Sequence, residues 1–245
     1  MVFSGTMSRR SLPGLLLALA ACAGGPPTPA TSEPAPQSNA TDALAPSETA
    51  TISTELASLY PGVRVAGLDD RRFNHETYWR AVAPYLGGNV RAAPVGRSVE
   101  GREIRQLTFA SGPTTVLLWS QMHGNESTAS MALADIVRFF HERADHPLVR
   151  RIAQGATIHM VPMLNPDGAQ RFQRRNAQGI DVNRDASRLQ TPEGKILKAV
   201  NDAVEPDFGF NLHDQGAVVR VGRSDRGVAI GAVGTCLQRR QGRRC

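Results

Sequence analysis

The residues of this chain best suited to chemistry are few and widely spaced. In Met122-His123-Gly124-Asn125-Glu126 a histidine and a glutamate stand three apart, just past a run that reads as a strand. His213 closes another such run far downstream, and Asn183-Arg184 lies between the two. Two imidazoles, one carboxylate and a position left for water are the ligand inventory of a catalytic zinc site. The i, i+3 spacing at a strand–helix junction lets both side chains turn into one crevice. A remote third ligand then ties a second strand to the first through the metal. A His-x-x-Glu pair by itself arises often by chance and reads as a turn; the strand-end placement of all three residues is what gives this one weight.

The elements that must position these groups follow from periodicity and punctuation. Residues 115–120 (Thr-Val-Leu-Leu-Trp-Ser) form a β-branched and apolar run suited to a buried central strand. Ser127 is placed as an N-cap, and Met131, Leu133, Ala134, Ile136, Val137, Phe139 and Phe140 form the apolar side of the helix after it. Upstream, 78–86 reads as a short helix, and 95–102 as a hairpin turn returning through a strand at 104–109. Residues 147–153 form another short helix. A second buried strand, 156–163, ends at the turn Asn165-Pro166-Asp167-Gly168. Pro192 opens a helix to about 204, and a short strand at 208–212 delivers His213. This alternation predicts an α/β fold, three layers α/β/α around a central mixed, mostly parallel sheet. The site belongs beyond the carboxyl ends of the strands, where His123, Asn165 and His213 all fall. His75, His141, His146 and His159 read as structural or surface residues.

Several short motifs in one order make the chain resemble the zinc metallocarboxypeptidases of the carboxypeptidase A/B type, in their bacterial branch. The resemblance runs from about residue 70 to about 216. It is carried by His123-Gly124-Asn125-Glu126, Asn165-Pro166-Asp167-Gly168, Arg174-Arg175-Asn176-Ala177-Gln178-Gly179, Asp181-Val182-Asn183-Arg184 and Asn211-Leu212-His213. It implies zinc as cofactor, with His123, Glu126 and His213 as ligands, the set for which carboxypeptidase A is itself a standard example. It implies that Arg174 stabilises a developing oxyanion, and that Asn183 and Arg184 hold the substrate's terminal carboxylate, which a guanidinium fork suits. It implies that Asp181 orients the His123 imidazole from the outer shell. Two of these assignments have rivals. Arg184 also reads as a surface ion pair, and Arg174 sits between Arg171 and Arg175, so the register is open by one.

Composition bounds what surrounds this site. The chain has 245 residues and a formal net charge of +6. Seven of its 28 basic residues lie in 220–245 against one of its 22 acids, so the remainder balances at 21 each. No aromatic residue interleaves those arginines, which argues against nucleic acid as a partner. Arg9 and Arg10, an apolar stretch at 12–21 and the small residues before Cys22 describe an export signal. Ending in cysteine, the signal resembles that of a bacterial lipoprotein, with Cys22 as the lipidated residue. The apolar run is about half the ~20 residues that a membrane-spanning helix needs. The expected organisation is a signal at 1–22, a disordered Pro/Ala/Ser/Thr-rich tether at 23–66, a carboxypeptidase-like domain at 67–227 and an atypical basic tail at 228–245. The expected protein is a monomer at the bacterial envelope, meeting the membrane through the lipid alone and acting on peptides or cell-wall peptides.

The chain departs from the family pattern after His213. The family's general base is a glutamate on a late strand, and a late tyrosine closes over substrate. None of the residues after His213 is Glu or Tyr. The expectation is therefore a domain incomplete at its C-terminal side, from a frameshift or early stop, with little or no peptidase activity, since a positioned base is worth about 10²–10⁴-fold. The alternatives are a lipid-anchored binding protein or remnant that keeps the metal and carboxylate sites, and an amidohydrolase acting on acyl-amino acids.

Overall fold

The computed structural model describes residues 46–214 and 230–236; Cys22, the export signal and the first half of the expected tether lie outside them. The second half of that tether is a helix, α1 (Pro46–Val63). Composition alone gives this segment little to bury. Leu59, however, packs against the main core, while Glu48 pairs with Arg151 and Glu55 with His146. Docking on the domain thus orders a stretch that had been expected to stay disordered.

Six strands make one open sheet: β1 (Val90–Arg97), β2 (Glu103–Phe109), β3 (Thr114–Ser120), β4 (Ala156–Val161), β5 (Phe208–Asp214) and β6 (Ile230–Cys236). Their spatial order is β1-β2-β4-β3-β5-β6. The sheet is mixed, as expected, with parallel pairing confined to its centre: β3 runs parallel to β4 and β5, while β1–β2, β2–β4 and β5–β6 are antiparallel. The mostly parallel sheet of the expectation describes that centre only. β6 falls within the segment read as an atypical basic tail. Its backbone pairs with the whole of β5, from Phe208↔Cys236 to Asp214↔Ile230, so strand pairing reaches into a region whose composition suggested none.

Six α-helices accompany the sheet among the described residues: α1, α2 (His75–Val82), which continues into a 3-10 turn at Ala83–Tyr85, α3 (Thr128–Glu142), α4 (Pro147–Gly155), α5 (Pro166–Gln170) and α6 (Pro192–Val204). Side-chain alternation sends each central strand to both faces. Met160 of β4 joins Phe109, Leu133, Val137 and Phe140 beneath α2, α3 and α4. Leu117 of β3 and Val161 of β4 join Val182, Val200 and Ile196 beneath α6. These are the three layers expected. No described helix is long and apolar enough to cross a membrane.

Two local readings change. Asn165-Pro166-Asp167-Gly168 is not a simple turn: Asn165 caps α5, its Oδ1 accepting the Gly168 amide at 2.8 Å. Ser127 precedes α3 but does not cap it through its side chain. Its hydroxyl donates instead to the Arg71 carbonyl at 2.6 Å, and Asp214 caps the helix in its place, accepting from the Thr128 amide at 3.3 Å and the Thr128 hydroxyl at 3.0 Å. A carboxylate at a helix N-terminus meets both free N–H groups and the positive end of the dipole.

The β1–β2 hairpin is held to the layers behind the site by two fully buried carboxylates. Asp167 accepts from the Ser98 hydroxyl at 2.7 Å, the Glu100 amide at 2.9 Å and Arg102 at 2.7 Å. Glu193, in the first turn of α6, accepts from the Asn176 side-chain amide at 3.0 Å and the Val99 amide at 3.4 Å. Burial pushes the Glu193 carboxyl above its ordinary 4.5, against the pull of its hydrogen bonds, and the charge of Asp167 adds to the rise. A carboxyl whose folded value is raised contributes stability that is complete below its unfolded value and is lost as pH climbs through the folded one. Glu193→Gln should therefore flatten one component of the pH profile. Measured by denaturant unfolding, the parent should lose stability relative to the variant as pH rises from 4.5 toward neutrality, and parallel profiles would contradict this.

Candidate metal centre

β3 and β5 are adjacent and parallel, in a register that pairs Ser120 with Leu212. The chain leaving β3 and the end of β5 therefore meet at one edge of the sheet. His123 arrives three residues after β3, Glu126 three later, and His213 lies at the end of β5. Glu126 sits between the two rings: its Oε1 is 2.7 Å from His123 Nδ1 and its Oε2 is 2.7 Å from His213 Nδ1. The ring centroids are 5.0 Å apart. One ligand atom from each of the three residues lies within 4.8 Å of the other two.

These residues fit a zinc ion. Ligand atoms about 2.0–2.2 Å from a tetrahedral metal stand about 3.4 Å apart, between the 2.7 Å contacts and the 4.8 Å limit found here. The donor chemistry also fits. His123 Nε2 lies 3.0 Å from Asp181 Oδ1, so with a metal bound an N–H there would donate to the carboxylate and the Nδ1 lone pair, which without metal faces Glu126, would be free for the ion. This carboxylate–histidine arrangement fixes tautomer and ring orientation at metal sites.

The electrostatics support the same grouping. Burial, the largest influence on Glu126, would raise its carboxyl; hydrogen bonds from His123 and His213, with their charges, outweigh it and hold the group at about 2. Asp181 is likewise raised by burial but brought below its usual value by His123 and then by Arg174. Both carboxylates are thus ionised at neutral pH, as ligation and ligand support require.

A close backbone approach sets the His123 loop. A Cβ on Gly124 would stand 2.0 Å from the Gly168 carbonyl carbon and 2.3 Å from the Ala169 nitrogen. Only glycine allows the loop to lie against α5 at that distance. Asn165 Nδ2 donates to the Met122 carbonyl at 3.1 Å, and Gln121 Nε2 to the Gly124 carbonyl at 2.9 Å.

The segment from Arg174 to Asp185 folds around its own polar groups. Asn176 Oδ1 accepts the amides of Gln178 and Ile180, each at 3.0 Å, which closes a tight loop and brings Arg174 and Asp181 together. Arg174 pairs with Asp181 at 2.9 Å, and its guanidinium comes within 3.4 Å of Glu126. Of the three neighbouring arginines it is the one at the metal trio: Arg171 pairs with Glu100, and Arg175 donates to the Gly179 carbonyl. Asp181 Oδ1 also accepts the amides of Asn183 at 3.1 Å and Arg184 at 3.3 Å. Arg184 is exposed, and its guanidinium holds no ion pair among the described residues. The remaining histidines stand apart from the trio. His75 contacts the Glu103 carbonyl, His146 caps α4, and His159 meets Gln106 and Thr108. His141 packs against Tyr85.

Three partners escaped sequence reasoning. Asp214 links β5 to α3 and pairs with Arg71, which also reaches the Asn125 carbonyl at 3.3 Å. Asn211 donates to Asn183 Oδ1 at 3.2 Å. A period-two reading of β5 places Asn211 on the His213 face. That signal was present, but it names no partner.

A family model described as zinc carboxypeptidase matches residues 75–213. The human carboxypeptidase N catalytic chain is 30% identical over 125 residues, covering 42% of this chain and 27% of that protein. An uncharacterized protein of Zymomonas mobilis is 27% identical over 131 residues, covering 52% of this chain and 34% of that one. Among solved structures, a metallo-carboxypeptidase from Pseudomonas aeruginosa, in complex with (2-guanidinoethylmercapto)succinic acid, superposes with a TM-score of 0.53 at 27% identity, covering 58% of this chain and 40% of that one. The chain spans between about a tenth and a third of the length of the curated relatives it matches.

Zinc retention tests the geometry. After dialysis against a competing chelator, His123→Ala should hold no stoichiometric zinc, and Asp181→Asn should bind it about 10–100-fold more weakly than the parent. Equal retention in all three proteins would mean that the metal sits elsewhere. Gly124→Ala should lose about 1–3 kcal/mol of stability from overpacking, measured by denaturant unfolding, and should weaken zinc binding with it.

Proposed function

The chain belongs to the zinc carboxypeptidase family, and from that premise we propose that its site binds zinc and engages peptides by their free C-terminal carboxylate, as an exopeptidase does. The observation that carries this reading is the meeting of His123, Glu126 and His213 beside Arg174 and the Asn183-Arg184 pair. Bound there, zinc would lower the pKa of a water toward about 7 and polarise a carbonyl. Asp181 holds the His123 ring in its ligating orientation. Arg174, half exposed beside Glu126, presents a fixed positive charge where oxyanion character develops in the scissile group. Arg184, whose guanidinium holds no ion pair among the described residues, and Asn183 supply the donors for a terminal carboxylate. The relative from Pseudomonas aeruginosa was captured with a succinic acid derivative, a carboxylate ligand of the kind such a clamp accepts.

In this reading, peptide hydrolysis by the 245-residue polypeptide is weak. The carboxylates at the site are all engaged: Glu126 with both histidines, Asp181 with His123 and Arg174, Asp214 with Arg71 and Thr128. Among the described residues no carboxylate at the site stands wholly free, though Asp214 Oδ1 lacks a partner, and this favours, as a second reading, a binding protein that keeps metal and clamp. Cell-wall peptides or scavenged peptides are the substrate class, with the domain held at the bacterial envelope through a lipid on Cys22.

Paired ligands test the clamp. A peptide with a free C-terminus should bind the zinc-loaded chain more tightly than its C-terminal amide, and Arg184→Ala should remove most of that preference by isothermal calorimetry. Equal binding of acid and amide by the parent would take Asn183 and Arg184 out of the reading. Turnover at the rate of a full-length family member would refute weak hydrolysis while leaving the clamp intact.

A further inference from the structure

We propose that Asn211 decides which end of the Asn183 amide faces a ligand, and thereby makes the clamp select a carboxylate over a carboxamide. The proposal rests on the reading of Asn183 and Arg184 as the terminal-carboxylate clamp. Asn211 lies on β5 two residues before His213, so the strand that delivers a metal ligand also delivers this side chain on the same face. Its Nδ2 donates to Asn183 Oδ1 at 3.2 Å. The backbone of Asn183 is held separately, its amide donating to Asp181 Oδ1 at 3.1 Å.

A primary amide has one donating end and one accepting end. With the Asn183 oxygen taken by Asn211, the NH2 end remains for a ligand, and a carboxylate, which only accepts, is what that end can bind. The two amides could turn in concert. Asn183 would then donate to Asn211 and show its oxygen outward, a face that repels a carboxylate and suits a carboxamide. Burial separates the two states. As found, the group left without a partner is Asn211 Oδ1, a buried oxygen. After the concerted turn it would be the Asn211 NH2. A buried carbonyl oxygen short of a partner is tolerated better than an orphaned N–H, so the pair settles with the Asn183 NH2 outward. Asn211 is a positioning residue in this scheme; it touches neither metal nor ligand.

The test uses the zinc-loaded full chain with acetyl-trialanine and its C-terminal amide as probes, each affinity measured by calorimetry or NMR titration. Zinc content and melting temperature are recorded for every variant. Asn211→Leu keeps the volume and removes the donor; the acid-to-amide affinity ratio should fall roughly 2–10-fold, the worth of one hydrogen bond, with zinc content unchanged. In an Asn183→Ala background the same substitution should cost nothing further. Asn211→Asp, equal in shape and able only to accept, should turn the Asn183 oxygen outward, so that the amide probe binds more tightly than it does to the parent. Simple charge repulsion would weaken the acid and leave the amide unchanged. If Asn183→Ala and Arg184→Ala both leave the ratio intact, the clamp reading fails and this proposal with it. If they lower the ratio while Asn211→Leu does not, or if Asn211→Asp fails to improve amide binding, the clamp stands and the role of Asn211 is overturned. Should Asn211→Leu lose its zinc or its fold, the Asp variant decides alone.

Discussion

The placement of one carboxylate between two imidazoles organises the rest of this structure. Glu126 follows His123 by three residues but is separated from His213 by four helices, a strand and a polar loop. Only the parallel register of β3 and β5 closes that gap. Burial alone would raise the carboxyl's pKa, and a neutral carboxylic acid is a poor metal ligand. The two rings reverse that tendency and keep the group ionised. Charge is thus held in a half-buried place because partners surround it, which is the condition under which buried charge is tolerated at all.

Around that centre, most of the supporting interactions are carboxylates and side-chain amides accepting backbone N–H groups. Asp181 takes the amides of Asn183 and Arg184, Asn176 those of Gln178 and Ile180, and Asp185 those of Gln190 and Thr191. Residues 174–191 form no long helix or strand. A segment without its own ladder must satisfy its buried backbone groups by other means, and here short polar side chains do so. The arrangement fixes Arg174, Asp181, Asn183 and Arg184 relative to the metal trio with little apolar packing of their own.

A second constraint is steric. The loop bearing His123 lies so close to α5 that no side chain fits at Gly124, and the same α5 carries Asp167, which anchors the β1–β2 hairpin. Metal loop, short helix and hairpin tip therefore form one continuous support. A disturbance at the hairpin has a direct route to the site through packed backbone and buried hydrogen bonds, without any moving part.

From the sequence alone, the convergence of His123, Glu126 and His213, the three central strands, most helices and the layer order could be read. These features depend on local periodicity and on residue types with strong chemical preferences. Pro192 and Val204 bound α6 in both the reading and the structure, because a proline start and an amphipathic period are local facts. The tertiary structure alone decided matters of long-range pairing. Leu59 and the ion pairs of Glu48 and Glu55 turned part of an apparent tether into α1. Backbone pairing with β5 made a strand of 230–236. Asp214 replaced Ser127 as the cap of α3, and of three neighbouring arginines Arg174 was the one turned to Glu126. In each case a residue's partner lies too far along the chain for spacing to name it, and the free energy that chooses among partners comes from burial and charge pairing that exist only once the sheet has formed.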